Sequence, residues 1–375
     1  MKIQTIGGAA QDIFMHYNGT EIMTLVKQQK HTSFMLFESG EKVEIDDVVY
    51  KTGGGATNSA VSFKRMGIAA SCFCKVGNDP AGQDILNMLN TESIDTKSIK
   101  VSQSHKTATS FIVNSLEGDY TIFAYRGANG FIESDEIPWS DIKNASQFYI
   151  TSLSHNSAQI LPTIAEFAKK NQIPVAINPG ISQLTKGTLK LKESLANIDT
   201  LILNSHEAKM FMFALTQSDQ SYKKALECST STKLCGLNME SENAYLLQTP
   251  ITYENMYFSL QNFFKEVLKM GPKIVVVTNG KNGVYAATSD ETLFHPSLKA
   301  KVINSVGAGD AFGSCFVASL MHGYDIPTSL KHGIINSSSV LEHIGAKDGL
   351  LTYEALLVKA KLVPNLIQQL KPMPQ

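Results

Sequence analysis

The chain has 375 residues, 43% of them hydrophobic and 18% charged, enough to bury one large core or two smaller ones. Lys plus Arg number 33 against 34 Asp plus Glu, a balance that excludes the electrostatic footprint of a nucleic-acid binder or of a protein held on an anionic membrane. The five cysteines, at 72, 74, 228, 235 and 315, have no paired spacing and read as buried thiols; with no basic-then-apolar leader and no apolar run near the ~18 residues of a membrane span, a cytoplasmic protein acting on small molecules is expected.

In chain order, residues 3–6 form a short apolar run that reads as a buried strand ending at Gly7-Gly8, with Asp12 just beyond. Residues 34–50 alternate about a turn at Glu38-Ser39-Gly40 and predict a hairpin. Gly53-Gly54-Gly55-Ala56-Thr57-Asn58 then opens a helix with Val61, Phe63 and Met66 on its apolar face and Gly67 as its stop. Residues 71–76 read as the next strand. A second hairpin is expected over 109–125 about Glu117-Gly118-Asp119, and Arg126 and Asn129 lead back from it, placed so that either can reach a bound molecule. Runs at 148–150, 175–177, 201–203 and 274–277 complete a series of buried strands alternating with helical patterns. The expected fold is α/β, a doubly wound, mostly parallel sheet flanked by helices. Gly or Asn follows several of its strands (Gly7, Gly77, Asn178, Asn204, Asn279), at the end where open α/β sheets bind ligands. Residues 216–254 are polar, rich in Ser, Thr, Gln and Asn, and read as an insertion that becomes helical at about 257–270.

Two stretches carry chemistry. In Asn304-Ser305-Val306-Gly307-Ala308-Gly309-Asp310-Ala311, glycines let main-chain N–H groups approach a ligand, and the run to His322 with Gly323 after it reads as a helix with a glycine stop. A loop at a helix N-terminus favours an anion, and a carboxylate there is either a helix cap or a base that takes a proton from an attacking hydroxyl. Asn204 and Glu207 lie three apart after a strand, a pairing that suits a hydrated Mg²⁺. The P-loop pattern GxxxxGK[ST] is absent, and Gly7-Gly8-Ala9-Ala10 lacks the GxGxxG of a dinucleotide fold.

GGGATNSAVSFKRMG, then AASCFCKVG and NDPAGQDIL, resembles the N-terminal signature of the ribokinase-like (PfkB) carbohydrate kinases, and NSVGAGDAFGSCFVASL resembles their C-terminal signature about 250 residues later. The resemblance spans roughly residues 1–360 and implies a single ribokinase-like domain over 1–375. It further implies a small β lid from about 14–52 and 105–126, whose edges can pair into a homodimer. By this resemblance Asp12, Gly54, Gly55 and Asn58 contact a sugar, with Arg126 and Asn129 nearby. Asp310 is the catalytic base beside Gly307, Ala308 and Gly309, while Asn204 and Glu207 serve Mg²⁺. Asn204, Thr278, Gly280, Gly283, Asn304, Asn336 and Val340 face ATP, the last two walling the adenine. Asn304 stands where many relatives carry Asp, which bears on a monovalent-cation site. The expected activity is ATP-dependent phosphorylation of a hydroxymethyl group on a sugar; a nucleoside (adenosine) kinase and a sugar-binding regulator without turnover are the alternatives.

Overall fold

The structure is a computed structural model and describes residues 1–16, 21–27, 30–114, 120–226, 245–248, 251–254 and 256–370. Six strands, Ala69–Phe73, Lys2–Ile6, Gln147–Ile150, Val175–Ile177, Thr200–Asn204 and Ile274–Thr278, lie side by side in that order and pair in parallel. Val284–Ala287, Thr292–His295 and Gln368–Leu370 continue the sheet antiparallel.

Strand side chains alternate between faces, and here both faces are apolar. Phe148, Ile150, Leu201, Leu203, Val275 and Val277 join one hydrophobic cluster, whereas Tyr149, Ile202 and Val276 join the other. Helices Leu161–Lys170, Ser205–Ser218 and Leu260–Lys269 cover the first face. Gly55–Arg65, Ala308–Met321 and Ile326–Leu341 cover the second. Each large apolar side chain fully buried between these layers contributes roughly 1.5–3 kcal/mol, so the short strands are held by layer packing more than by their own length. Cys72, Cys74 and Cys315 are buried free thiols in the second layer; Cys228 and Cys235 lie outside the described residues.

A second sheet projects from the end of strand Lys2–Ile6, where Gly7, at φ 148°, turns the chain into strand Ala10–His16. Its order is Tyr120–Tyr125, Ala108–Asn114, Ala10–His16, Asp47–Gly53, with one parallel pairing between the middle two. The hairpin expected over 109–125 is therefore present, its turn lying outside the described residues. The hairpin expected over 34–50 is not. Strand Lys30–Leu36 pairs back with Glu21–Lys27, and Asp47–Gly53 pairs with Ala10–His16. Gly40 does turn, at φ 90°, but residues 41–45 form no strand, so its two flanks never meet. Two earlier strands took both halves of the alternating pattern.

The polar segment 216–254 is anchored at its ends. Leu226, Leu246, Leu247 and Ile251 are buried in the first apolar layer, and the Leu246 N–H donates to Tyr285 Oη at 3.3 Å. Residues 227–244 and 249–250 lie outside the described residues. Helix Leu260–Lys269 follows it, close to the expected 257–270.

Candidate active site

The C-terminal ends of the parallel strands open into a cleft of about 280 Å³. Asn178, Asn204 and Thr278 line it from the strand ends, Glu207 from the first turn of helix Ser205–Ser218, Ser305, Val306 and Gly307 from the loop entering helix Ala308–Met321, Gly309 and Asp310 from that helix's first turn, and Tyr120 and Ile122 from the second sheet.

The anion loop is shaped by its own sequence. Gly307 caps the helix at φ 83°, a left-handed conformation that glycine adopts without strain, and any side chain there would collide with Ala346. Asn304 is buried, and its Oδ1 accepts from the Val306 N–H at 2.7 Å, bracing the turn. Around Gly309, by contrast, a Cβ would meet no atom within 4 Å, so the space above this glycine is open to a ligand. First-turn N–H groups have no intrahelical acceptor and carry the positive end of the helix dipole.

A second helix N-terminus points at the same place. Gly54, at φ 95°, caps helix Gly55–Arg65 so closely against Ala9 that a Cβ would sit 2.5 Å from Ala9 Cα. From its first turn Asn58 donates Nδ2–H to Asp310 Oδ2 at 2.8 Å. The Asn58 Oδ1 is buried with no hydrogen-bond partner among the described residues, an acceptor waiting for a donor. Burial raises the Asp310 carboxyl above its usual range, while the Asn58 hydrogen bond and the Lys347 charge pull it back. Asp12, 5% exposed, fills the space where a side chain on Gly53 would be. Its carboxyl is also raised by burial; the Ser110 hydroxyl and Lys347 oppose the shift and Asp310 adds to it.

Across the cleft, Asn204 and Glu207 cap each other: Asn204 Oδ1 accepts from the Glu207 N–H and Glu207 Oε2 accepts from the Asn204 N–H, both at 2.8 Å. Burial lifts the Glu207 carboxyl to about 7; the Asp310 charge adds to this, and the Asn204 N–H works against it. An all-oxygen pair with few ligands fits a Mg²⁺ that keeps most of its waters, and Glu207 Oε1 is outside the capping bond. No group of three or more His, Cys, Asp or Glu able to hold a metal by itself occurs among the described residues. Gly280, at φ 53°, and Gly283, at φ 98°, bracket the turn after Thr278, and a side chain on Gly283 would strike the His295 carbonyl.

Not every expected residue reaches the cleft. Asn336 and Val340 are both 0% exposed. Asn336 donates to Ala311 O and accepts from the Leu351 N–H, each at 3.0 Å, and Val340 packs in the second apolar layer, so neither walls an adenine. The reason is helical periodicity: positions four apart share a face, and this face turns inward. The Asn129 amide is committed to the Ala9 main chain through Ala9 N–H to Oδ1 at 3.0 Å and Nδ2–H to Ala9 O at 2.9 Å. Arg126 is exposed. Conversely, Asn178, Tyr120, Ile122 and Ser305 line the cleft and Lys347 is buried beside Thr52, although no sequence motif marks them as site residues. Asn178 follows a strand at the ligand-binding end, and Tyr120 and Ile122 are two apart on one strand face, signals present in the sequence but weak.

Two helix N-termini converging on a half-buried carboxylate, at the carboxyl ends of a doubly wound sheet, define an α/β phosphotransferase with an alcohol acceptor. The chain belongs to the pfkB family of carbohydrate kinases, whose profile matches residues 21–233 and 258–352. It is 26% identical over 313 residues to a ribokinase of Staphylococcus aureus, covering 83% of this chain and 88% of that one. The nucleoside kinase of Burkholderia thailandensis, solved in complex with inosine, superposes with a TM-score of 0.70 at 16% identity, covering 96% of this chain and 98% of that one. A putative ribokinase II of E. coli in complex with ATP and Mg²⁺ gives a TM-score of 0.69 at 16% identity, covering 96% and 99%. No helix among the described residues is long and apolar enough to cross a membrane.

Proposed function

We propose that this carbohydrate kinase transfers the γ-phosphoryl group of ATP to a hydroxymethyl group of a sugar held between Asp12 and Asn58. The observation that carries the reading is the 2.8 Å bond from Asn58 to Asp310, which joins the sugar-side helix to the anion loop across 252 residues of sequence. The attacking hydroxyl lies against Asp310, which accepts its proton. Main-chain N–H groups of Gly307, Gly309 and Asp310 hold the transferred phosphoryl oxygens, while the Ala308 N–H donates to Ser305 O at 3.3 Å. Asp12 and the unpartnered Asn58 Oδ1 accept hydrogen bonds from the other sugar hydroxyls, which fixes the reacting one. Asn204 and Glu207 serve a hydrated Mg²⁺, which supplies charge neutralisation on the phosphates. Thr278 and the Gly280–Gly283 turn pass beneath the nucleotide. The second sheet acts as a lid that keeps water from competing for the phosphoryl group.

A monovalent cation has no part in this reading, because Asn304 is neutral and its Oδ1 is already bonded to Val306. A nucleoside acceptor is the second reading, supported by Tyr120 and Ile122 at the cleft edge, where a flat base could stack. Exposed Phe111, Phe123 and Tyr125, on one face of the second sheet, suit pairing with another copy, to be measured by light scattering in solution. The whole chain is read as one cytoplasmic ATP-using domain. The test of the reading is ADP release with ATP, Mg²⁺ and a panel of sugars and nucleosides: turnover with one of them is expected, and binding of sugar without turnover on any would point to a regulator.

A further inference from the structure

Lys347 is a lysine where a lysine is costly. It is 7% exposed, inside the protein, and its Nζ donates to Thr52 O at 2.6 Å and reaches Thr52 Oγ1 at 3.4 Å. Burying an ammonium without a counter-charge costs several kcal/mol, so such a group is kept near anions or neutralised. Here the anions belong to the cleft. Thr52 pairs with Gln11 beside Asp12, and the next residue, Gly53, lacks a side chain where the Asp12 carboxylate sits. On the other side, Ala346, which precedes Lys347, packs against Gly307, the cap of the helix that carries Asp310.

The loop around Lys347 is held rigidly for this purpose. Arg65 donates to Lys347 O at 2.9 Å and to Leu350 O at 3.1 Å, and is itself paired with Glu92. Lys51 pairs with Asp348 at 2.7 Å. The loop thus ties the strand that flanks Asp12 to the helix cap beneath Asp310. Charged or titratable groups acting on the Lys347 ammonium are Asp12, Asp310, Cys72 and Asp348. Burial drags it down to about 8, and these four oppose that.

Resting on the kinase reading above, we propose that Lys347 is a positioning residue: its ammonium, anchored on Thr52, is the shared counter-charge that lets the Asp12 and Asp310 carboxylates be ionised together in one cleft. Burial raises both carboxyls, and Lys347 is among the groups that pull each of them back, so losing its charge favours the protonated forms. A protonated Asp310 could not accept the hydroxyl proton, and a protonated Asp12 would be a poorer acceptor for sugar hydroxyls. Glu207 offers no relief, since the Asp310 charge raises its carboxyl too.

The sign of the effect follows. Without the ammonium, both carboxyls titrate at higher pH, so the acid limb of the kcat/KM profile moves up. Lys347→Gln offers an amide donor one bond shorter and removes the charge, whereas Lys347→Arg keeps the charge. The acid limb of Lys347→Gln should move up by about one pH unit or more, so that the activity lost at pH 6 exceeds that lost at pH 8.5 by roughly tenfold. Lys347→Arg should restore the limb towards that of the unaltered enzyme, and melting curves should show both variants folded. A Lys347→Gln enzyme with an unmoved acid limb, or a Lys347→Arg enzyme shifted as far as the glutamine variant, overturns the proposal. An unaltered enzyme that phosphorylates no sugar or nucleoside would instead remove the kinase reading on which it rests.

Discussion

The two walls of the cleft are built by different rules. The wall around Gly307 and Asp310 is braced on every side: a left-handed cap against Ala346, a buried Asn304 on Val306, and a helix whose body is in the apolar core. The other wall is the edge strand Tyr120–Tyr125, exposed along its whole length and paired with one neighbour only. Catalytic geometry must be reproducible to fractions of an ångström, which needs packing on all sides, whereas a wall that admits and releases substrate needs few contacts. On the proposed function, chemistry belongs to the braced wall and selection to the exposed one.

The sharpest way to break that division is Asp310→Asn. It keeps the Asn58 contact and the shape but cannot accept a proton, so kcat should fall by about 10²-fold or more while ATP binds as well or better, read by calorimetry. Near-normal kcat would make Asp310 only a helix residue.

Asp12→Ala comes next. It strands sugar hydroxyls without a charged acceptor, and sugar affinity should drop about tenfold or more, since hydrogen bonds to charged groups are worth ~1.5–3 kcal/mol. Unchanged sugar binding would move the sugar elsewhere.

A paired glycine experiment separates bracing from access. Gly307→Ala forces a Cβ into Ala346 at positive φ and should lower the melting temperature, at a cost of roughly 1–3 kcal/mol. Gly309→Ala meets nothing in the protein, so the melting temperature should stay put while KM for ATP rises. Equal loss of stability in both would erase the distinction.

The smallest effect is expected on the exposed wall. Tyr120→Ala should leave stability within about 0.5 kcal/mol, yet change the ranking of acceptors in a sugar and nucleoside panel. A large loss of stability would show that this strand is braced after all.

The braced wall was also the more legible one. Gly307, Gly309 and Asp310 announced themselves because a left-handed cap and an open approach demand glycine, and because a carboxylate at an anion site is chemically odd. The parallel strands were equally plain, since burial on both faces leaves an unbroken apolar run. Strand Ala10–His16 was missed: Gln11, Asp12 and His16 blur its alternation, and its partners are distant in sequence. Alternation within 34–50 therefore predicts a hairpin, whereas in the structure its two halves pair with Glu21–Lys27 and Ala10–His16.

What the sequence alone determined is local: which runs are apolar on two faces, where glycine is obligatory, and which motifs match carbohydrate kinases. Which side chains meet was decided by tertiary structure. Asn336 and Val340 lie beside a family signature yet turn inward, because a helix has only one face to spend on its neighbour. Lys347, in the unremarked stretch Gly345-Ala346-Lys347-Asp348-Gly349, becomes a site residue only because Thr52 and two carboxylates arrive from far along the chain. An ammonium's environment is set by the charges and solvent around it, and neither is written in its neighbours along the sequence.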